Sequence, residues 1–593
     1  ANLAGKAWQR KRSQRSPVEL HVIANFKKSQ HFSSKMEQIE IKSLYLTVLG
    51  NLDTSQIGRN SSLWDVLTLV TETVQELNIS EIQKSNESAA KHRIAGNQLY
   101  QERKYAEALA YYTESIRLAE PESDQLGMGY ANRSVIYYEQ GEFELALYNI
   151  DLAKRNNYPE QLMPKLLARE LNCQQQIAAG RSKPTVPHPR MNINVDINPE
   201  IPFLASGIGM NYEAKFGRGL IAQKDFNPGD ILLDEKVVLC GLECDLIYQN
   251  CSQCSGEFGY SLIPCAGCPL AMFCSKECQE MNWKLYHRFE CGVASKLCCI
   301  SFTWGMIIPR FFFYGLTQFG DDLQAMMDYC VQEHATAPNP LERTLNQLEV
   351  FKFIHNAKPH FNRKFDSYLK VIVVFYYVVF LMNPLVRSII RTESHERFFL
   401  RSLLAYSRLL GSLLASTVFF KVYPQGYTAG TVSLIGSICN HSCDPAVNTV
   451  IHSGRVKMVV LRPIRKGEQI FTTYGTSWWE PGEDRSLDYK CRCVVCDRGP
   501  AGRKWHSLMM RPFPLKELKN VQRMRYVLDS EETNNAAKLN ALQQLIKRYA
   551  HLHPQKNLGD ILRVYDSLLN DAIFAENEAL VRAKLHAACA ASI

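Results

Sequence analysis

Apolar and small residues recur at helical spacing in two similar stretches of the N-terminal half, residues 95–119 and 130–153. When the stretches are superposed, small residues such as Gly96 and Ser134 align, and so do aromatic residues. Small residues permit close helix crossings, and aromatic side chains fill the space between them. The pattern predicts paired helices, with a third pair beginning after Pro159, and a generic helical bundle is the alternative.

The pattern changes after a linker that contains proline, glycine and asparagine. Residues 214–239 alternate with turn signals at Asn227–Asp230, which predicts β-strands joined by a tight turn. Beyond residue 503, apolar residues return to helical spacing, for example in 537–553 and 558–589. The chain is therefore predicted to combine helical regions with a strand-rich centre.

One continuous apolar run, Val371–Met382, resembles a membrane span. Asn383 and Pro384 end it well short of the roughly 20 apolar residues needed to cross a bilayer. Because it is rich in β-branched and aromatic residues, it is expected to be a buried strand or a core helix. No membrane partner is expected.

Composition narrows the class of protein only slightly. A chain of 593 residues with 46% hydrophobic residues is expected to hold several packed domains. Its net charge of +9 is spread thinly, so it permits an acidic or nucleic-acid partner without implying one. The local basic run Lys6–Arg15 reads as a nuclear signal or a solvated tail, and the tail is favoured.

Eight potential metal ligands fall within one short window. Three cysteine pairs are closed by a single His-x3-Cys, a donor set that suits two tetrahedral zinc ions. A disulfide cluster is the alternative, but no signal peptide is visible, and a reducing compartment would keep the thiols free. The predicted ligands are Cys251, Cys254, Cys265, Cys268, Cys274, Cys278, His287 and Cys291.

This spacing resembles the MYND zinc finger. The resemblance implies interleaved metal sites, with the first and third cysteine pairs on one ion and the second pair on the other, together with His287 and Cys291. It also implies proline-rich peptides as partners, and direct DNA binding is not expected.

Two separated segments flank the finger and resemble the two halves of a SET domain. The first is Phe216-Gly217-Arg218-Gly219, and the second comprises 437–445 and 462–475. With the finger between them, the segments resemble the SET-and-MYND lysine methyltransferases, which use S-adenosylmethionine. The resemblance implies a protein-lysine N-methyltransferase acting on a histone or non-histone protein.

The resemblance assigns a role to each cofactor residue. Gly217 and Gly219 would let the backbone approach S-adenosylmethionine, because neither has a Cβ. Arg218 would meet the cofactor's carboxylate. Asn440 and His441 would lie at a pseudo-knot that grips the adenine and the amino-acid end. A turn containing a structural histidine is the alternative for these last two residues.

Catalysis and a third zinc ion follow from the same resemblance. Tyr474 would be the active-site tyrosine that aims the substrate amine beside the cofactor, and Tyr489 would stack on the cofactor. A packed strand aromatic is the alternative for Tyr474 alone. The third, post-SET zinc site would be closed and structural, since it has four thiolates. Its ligands would be Cys443, Cys491, Cys493 and Cys496.

Three positions depart from the family pattern. Phe216 stands where a basic residue is usual, Leu487 stands where a second tyrosine is usual, and residues 412–424 lack a common asparagine. These departures favour a rival hypothesis, a catalytically weak or inactive adaptor that binds chaperone tails or proline-rich peptides.

The helical pairs resemble tetratricopeptide repeats. Some of these repeats grip the Glu-Glu-Val-Asp tail of heat-shock chaperones through a two-carboxylate clamp of basic and asparagine residues. Its counterparts here would be Arg93, Asn97, Asn132, Lys165 and Arg169. The alternative is that the asparagines bridge neighbouring helices and the basic side chains are solvated.

These features together predict a multidomain α+β protein, expected to be a monomer of the cytoplasm and nucleus. The predicted divisions are 1–90 (helical or flexible), 91–180 (repeats), 181–200 (linker), 201–250 (first SET half), 251–291 (finger), 292–425 (insert), 426–476 (second SET half), 477–500 (post-SET) and 501–593 (C-terminal helices).

Overall fold

A computed structural model of the chain provides the architecture. It describes residues 63–77, 80–182, 191–242, 246–247, 249–256, 261–298, 306–332, 338–357, 366–413, 421–422, 428–452, 454–475, 477–480, 490–514, 516–517 and 534–590. The basic run Lys6–Arg15 and the residues Leu487 and Tyr489 lie outside these ranges.

The N-terminal part is helical. Its helices are α1 (Leu63–Leu77), α2 (Asn86–Gln101), α3 (Tyr105–Leu118), α4 (Asp124–Glu139), α5 (Phe143–Arg155) and α6 (Met163–Ala178). Helix α2 packs against α3, and α4 packs against α5, which are the helical pairs expected from the sequence. After Pro159 and a short 3₁₀ turn, residues 160–182 contain one helix, α6, of the expected third pair. We refer to α2–α6 as the repeats.

Matching turns and caps show that the two pairs are one motif used twice. Helices α2 and α4 begin at equivalent positions, each capped by a serine hydroxyl: Ser85 accepts from the Ser88 N–H, and Ser123 accepts from the Leu126 N–H. The turn inside each pair has a residue with positive φ, Arg103 at 59° and Gly141 at 71°. The positive φ closes the turn so that the second helix packs back on the first.

Strands on the two sides of the finger build one set of small sheets. The strands are β1 (Ile197–Asn198), β2 (Ile201–Ala205), β3 (Ile208–Glu213), β4 (Gly217–Ala222), β5 (Ile231–Lys236), β6 (Leu239–Leu242), β9 (Lys421–Val422), β10 (Thr428–Val432), β11 (Asn440–His441), β12 (Val447–His452), β13 (Arg455–Val460) and β14 (Phe471–Thr472). A five-stranded sheet has the order β1-β2-β5-β13-β12. Its central pair, β5 with β13, joins segments that are far apart in the sequence.

The finger, residues 251–291, interrupts these sheets. It contains the hairpin β7 (Ile263–Pro264) and β8 (Met272–Phe273), followed by α7 (Lys276–Asn282), a π-helical turn at Trp283–His287 and the short α8 (Arg288–Glu290). The hairpin shares a continuous buried core with the repeats.

A helical insert separates the finger from the second SET half. Its helices are α9 (Ala294–Cys298), α10 (Ile307–Gln318), α11 (Leu323–Val331), α12 (Gln347–His355), α13 (Asp366–Leu381), α14 (Pro384–Ile389) and α15 (Glu393–Leu413). The apolar run Val371–Met382 lies largely in α13, where most of its side chains are buried, so it is a core helix rather than a strand. Among the described residues, no helix is both long and apolar enough to span a membrane.

The C-terminal helices are α16 (Pro500–Met509), α17 (Asn535–Tyr549) and α18 (Lys556–Ala590). They form a third core with Trp478, Trp479 and Trp505. Helix α18 packs against both β12 and the repeat helix α5. The C-terminal region therefore touches the SET strands and the repeats together.

Candidate functional site

The predicted catalytic tyrosine and two of the predicted cofactor-binding residues meet where two very short strands run in parallel. In β11 and β14, Asn440 lies opposite Phe471, and His441 lies opposite Thr472. The Ser442 N–H continues the pairing by donating to the Thr472 carbonyl at 2.9 Å. This crossing brings Tyr474 to Asn440 and His441, although more than 30 residues separate them in the sequence.

Tyr474 is held at both ends. Its hydroxyl donates to the Cys439 carbonyl at 2.7 Å, and its backbone N–H donates to Nδ1 of His441 at 3.0 Å. The rings of Tyr474 and His441 lie 5.2 Å apart. Because the hydroxyl donates its proton to the Cys439 carbonyl, the phenolic oxygen can act as an acceptor for a further donor.

His441 links this tyrosine to a metal-ligand cysteine. Burial lowers the pKa of His441 to about 4, which keeps the imidazole neutral. Because Nδ1 accepts from Tyr474, the proton of the neutral ring lies on Nε2, which faces the Cys443 sulfur at 3.4 Å. One side chain thus contacts both Tyr474 and the sulfur of Cys443.

The two glycines of β4 are required for different reasons, one for its backbone conformation and the other for the space beside it. Gly217 has a φ of 75°, in the left-handed region, while the space beside it is open. At Gly219, a Cβ would lie 1.9 Å from Nε2 of Gln469 and 2.7 Å from Nδ2 of Asn440. Asn440 also donates to the Arg218 carbonyl at 2.9 Å. Gly219 therefore allows two side-chain amides to approach the backbone of β4.

The neighbouring residues partly match expectation. The Arg218 guanidinium lies over the ring of Phe353, 5.4 Å from its centroid, so contact with a cofactor carboxylate stays a prediction. Phe216 packs edge-on against Phe471, with ring centroids 5.1 Å apart, and its ring supplies no charge at this position. The predicted role of Tyr489 lies outside the described residues.

The side-chain amide of Gln469 marks space for a polar ligand. Both its nitrogen and its oxygen are buried, and neither has a hydrogen-bond partner in the described part of the chain. Orphaned buried polar atoms are uncommon in proteins. Together with the Gly219 cradle, this observation fits a polar small molecule such as the amino-acid end of S-adenosylmethionine.

Glu235 supports the site, although no motif in the sequence points to it. This β5 carboxylate is 3% exposed and accepts hydrogen bonds from the Ser433 hydroxyl and from the N–H groups of Leu434, Ile435 and Gly436. Burial raises the pKa of Glu235, and these hydrogen bonds oppose the rise. The turn it shapes leads directly to Cys439 and Asn440. An acidic residue within an alternating strand carries no sequence signal for that role.

All twelve predicted metal ligands form three compact groups. Within each group the ligand atoms lie within 4.8 Å of one another, and all twelve residues lie in the described part of the chain. The groups are Cys251, Cys254, Cys274 and Cys278; Cys265, Cys268, His287 and Cys291; and Cys443, Cys491, Cys493 and Cys496. The first two reproduce the interleaved arrangement that the resemblance implied. The donor sets suit zinc, since thiolates and imidazole are its usual ligands.

The histidine of the second group has a buried support. Nε2 of His287 faces the sulfurs of Cys265 and Cys268, and Nδ1 lies 3.3 Å from the Glu290 carboxylate. Arg310 donates to both oxygens of Glu290, at 2.6 and 2.9 Å. Burial alone would raise the pKa of Glu290, but Arg310 and His287 lower it to about 2. A carboxylate behind a ligating histidine fixes the ring for metal binding.

The predicted peptide clamp is brought together only in part. Nδ2 of Asn132 donates to Oδ1 of Asn97 at 2.8 Å, and the Tyr112 hydroxyl donates to the same oxygen at 2.9 Å. Arg169 donates to the Ala131 carbonyl. The asparagines therefore bridge neighbouring helices, and their role in a peptide clamp stays a prediction.

The basic residues of the clamp differ in how far they are engaged. The Arg93 guanidinium donates to the side chain of Gln125 at 3.3 Å. Arg169 also donates to the Ser134 hydroxyl at 2.9 Å, whereas Lys165 is exposed. Lys165 is thus the clamp residue most open to a ligand.

Comparison with known proteins defines the class. Residues 217–475 match the model of the SET domain family, and the resemblance of the chain to SET-and-MYND proteins is confirmed.

Individual relatives carry the comparison further. The chain is 26% identical over 237 residues to protein-lysine N-methyltransferase SMYD4 of Danio rerio, covering 37% of this chain and 31% of that protein. It is 24% identical over 282 residues to the human SMYD4, covering 36% and 35%. It is also 37% identical over 103 residues to a DnaJ homolog subfamily C member 7 homolog of Schizosaccharomyces pombe, covering 17% and 21%. The chain thus spans about a third of the SMYD4 relatives it matches.

Proposed function

We propose that the chain is a protein-lysine N-methyltransferase that moves a methyl group from S-adenosylmethionine to a lysine of a protein substrate. The observation that carries this proposal is the placement of the Tyr474 hydroxyl on the Cys439 carbonyl, directly before Asn440 in the chain. The SET domain match and the SMYD4 relatives support the same reaction.

The cofactor would be held by groups that already converge on one place. Gly219 leaves room for the amides of Asn440 and Gln469, which can hydrogen-bond the polar end of the ligand. Arg218, by turning from the Phe353 ring, could add a positive charge opposite the carboxylate. When bound, S-adenosylmethionine supplies a methyl group on a positively charged sulfur.

The substrate amine needs orientation more than acid–base help. A lysine ammonium has an ordinary pKa of about 10.4, so it must lose its proton before it can attack. The neutral amine can then donate a hydrogen bond to the phenolic oxygen of Tyr474, whose own proton is held by Cys439. That bond directs the nitrogen lone pair toward the methyl group, and near-attack alignment of this kind supplies much of the rate.

A labelling experiment tests the proposal. Purified protein, confirmed to be folded and zinc-loaded, is incubated with methyl-labelled S-adenosylmethionine and a lysate of its own cells. We expect label on protein lysines and a loss of about 100-fold or more in Tyr474→Phe, which keeps the ring but lacks the hydroxyl. Absence of transfer by the wild-type protein, or full activity of Tyr474→Phe, would contradict the proposed mechanism.

Peptide binding by the repeats is a second candidate function. We propose that the repeats, as tetratricopeptide repeats, bind acidic C-terminal tails such as those of heat-shock chaperones. The exposed Lys165 and the half-buried Arg93 and Arg169 favour a carboxylate ligand. Binding of a fluorescent peptide ending in Glu-Glu-Val-Asp tests this. Lys165→Ala should weaken it about tenfold, whereas Lys104→Ala, another exposed lysine of the repeats, should not.

A further inference from the structure

The repeats and the finger meet through buried cations that grip backbone carbonyls. Arg133 of α4 is 0% exposed and donates both terminal nitrogens to the Leu262 carbonyl at 3.2 Å. Arg117 of α3 is 5% exposed and donates to the Pro269 carbonyl at 3.0 Å. Leu262 and Pro269 flank the metal-ligand pair of Cys265 and Cys268. The repeats therefore hold the loop that carries half of the second metal site.

A third cation strengthens the same contact. Nζ of Lys84 donates to the carbonyls of Arg117 and Ala119 at the end of α3. Burial lowers the pKa of Lys84 to about 8, and the charges of Cys265, Cys268 and Cys291 act in the opposite direction. Lys84 therefore holds the C-terminal end of α3, the helix whose Arg117 reaches the Pro269 carbonyl.

The other side of the same metal site is tied to the insert. Nδ2 of Asn383, at the start of α14, donates to the carbonyls of Phe289 and Cys291, both at 2.9 Å. Arg310 of α10 joins Glu290, behind the ligand His287, to the Ser252 carbonyl of the finger. The second metal site thus lies where the repeats, the finger and the insert meet.

The first metal site has a different neighbour. Beside Gly454, in the turn between β12 and β13, a Cβ would come within 2.6 Å of the Cys254 carbonyl. The first site therefore packs on the SET hairpin. Both sites border the core that the finger shares with the repeats, but the buried arginines of the repeats donate to the loop of the second site.

Fixation of the loop gives the second site its effect on the repeats. The carbonyls of Leu262 and Pro269, which accept from Arg133 and Arg117, bracket the predicted ligands Cys265 and Cys268. A bound metal would fix the backbone between these two carbonyls, and loss of the metal would leave that backbone without an anchor.

We propose that the metal site of Cys265, Cys268, His287 and Cys291 is the joint that fixes the repeats to the catalytic half of the chain, so that loss of this metal releases the repeats. The face of the finger from Leu262 to Phe273 is then an internal docking surface occupied by the repeats. This inference goes beyond methyl transfer and does not depend on it.

Hydrogen exchange of the full chain tests the joint without any activity measurement. Cys268→Ser, in the second site, should raise amide exchange in α3 and α4 about tenfold and leave β5 and β13 unchanged. Cys254→Ser, in the first site, should affect α3 and α4 much less. Unchanged exchange in α3 and α4 of Cys268→Ser, or equal effects of the two variants, would overturn the proposal.

The rate of zinc release gives a second readout, independent of hydrogen exchange. Because coupling between two sites is reciprocal, weakening the docking should weaken metal binding. Arg133→Met should speed the release of one zinc ion to a chromophoric chelator, whereas Arg155→Met, on the exposed face of α5, should not. If Arg133→Met fails to fold, Lys84→Met takes its place, since Lys84 lies outside the repeat helices. Release as slow as in the wild-type protein would refute the coupling.

Discussion

Arg133 in the repeats and Glu235 in the central sheet are both fully buried charges. Among the described residues, neither has an oppositely charged side chain within ion-pair distance. Arg133 donates to the Leu262 carbonyl and to Asn149, while Glu235 accepts from a hydroxyl and a turn of backbone N–H groups. Each buried charge thus fixes a path of main chain. Arg133 joins the repeats to the finger, and Glu235 shapes the turn before Asn440 and His441, the predicted cofactor-binding residues.

This difference predicts which property each substitution impairs. Loss of Arg133 should loosen the contact between modules and leave the cofactor site intact. Loss of Glu235 should disturb cofactor binding and leave the repeats intact. The comparison fails if both variants disturb the same property.

The largest expected effect on stability comes from Arg133. Arg133→Met leaves the Leu262 carbonyl and Oδ1 of Asn149 buried without their donor, and each loss costs about 1–3 kcal/mol. We expect the unfolding free energy of the repeats to fall by about 2–6 kcal/mol. Arg133→Lys should be no better, because one ammonium cannot reproduce the fork that reaches both acceptors. Urea unfolding monitored by exchange in α4 measures both variants. Recovery of stability in Arg133→Lys would show that charge, not the fork, matters.

The expected effect at Glu235 is smaller and appears in binding. Glu235→Gln keeps the shape but turns one acceptor into a donor that faces other donors at Leu434, Ile435 and Gly436. We expect the Kd for S-adenosylmethionine to rise about tenfold, equivalent to about 1.4 kcal/mol. Calorimetric titration measures it, and far-UV circular dichroism checks the fold.

A control variant changes the turn and leaves Glu235 itself in place. Ser433→Ala removes one donor to the same carboxylate and should show a smaller change of the same sign. An unchanged Kd in Glu235→Gln, with the fold intact, would remove Glu235 from the cofactor site.

The sequence was informative where chemistry is local. The metal ligands are recognisable because thiolates and imidazole at short spacings have few other uses, and their three groups form as expected. The run Val371–Met382 was undecided between strand and helix, since its composition favours strands while only its packing selects α13. Local chemistry therefore predicts ligands better than it predicts element type in short apolar runs.

The sequence does not identify residues whose main-chain hydrogen-bond partners lie far away along the chain. Arg133 stands beside Asn132, which was singled out, yet a helical arginine is ordinarily solvated. Its role depends on a carbonyl 129 positions away. Glu235 similarly depends on a turn about 200 positions away. Only the folded chain brings these partners together.

Asp566 offers the smallest predicted effect and completes the comparison, because it is a buried charge that is not fully satisfied. Its Oδ1 is buried and has no hydrogen-bond partner among the described residues. Burial, and then the charge of Glu480, raise the pKa of Asp566 to about 7. Arg133 and Glu235 form hydrogen bonds with main-chain groups. Among the described residues, the Asp566 carboxylate of α18 forms none.

The raised pKa fixes the sign of a pH dependence. The carboxyl has a pKa of about 3.9 in an unfolded chain, so between about pH 4 and pH 7 the folded state binds more protons than the unfolded state. The stability contributed by this group therefore falls as pH rises through that window. Asp566→Asn should be about 1 kcal/mol more stable than wild type at pH 8 and nearly equal at pH 4, whereas the exposed Asp571→Asn should match wild type at both. Thermal unfolding at the two pH values measures this. An equal gain at pH 4 and pH 8 would mean that packing, rather than a buried charge, limits the docking of α18.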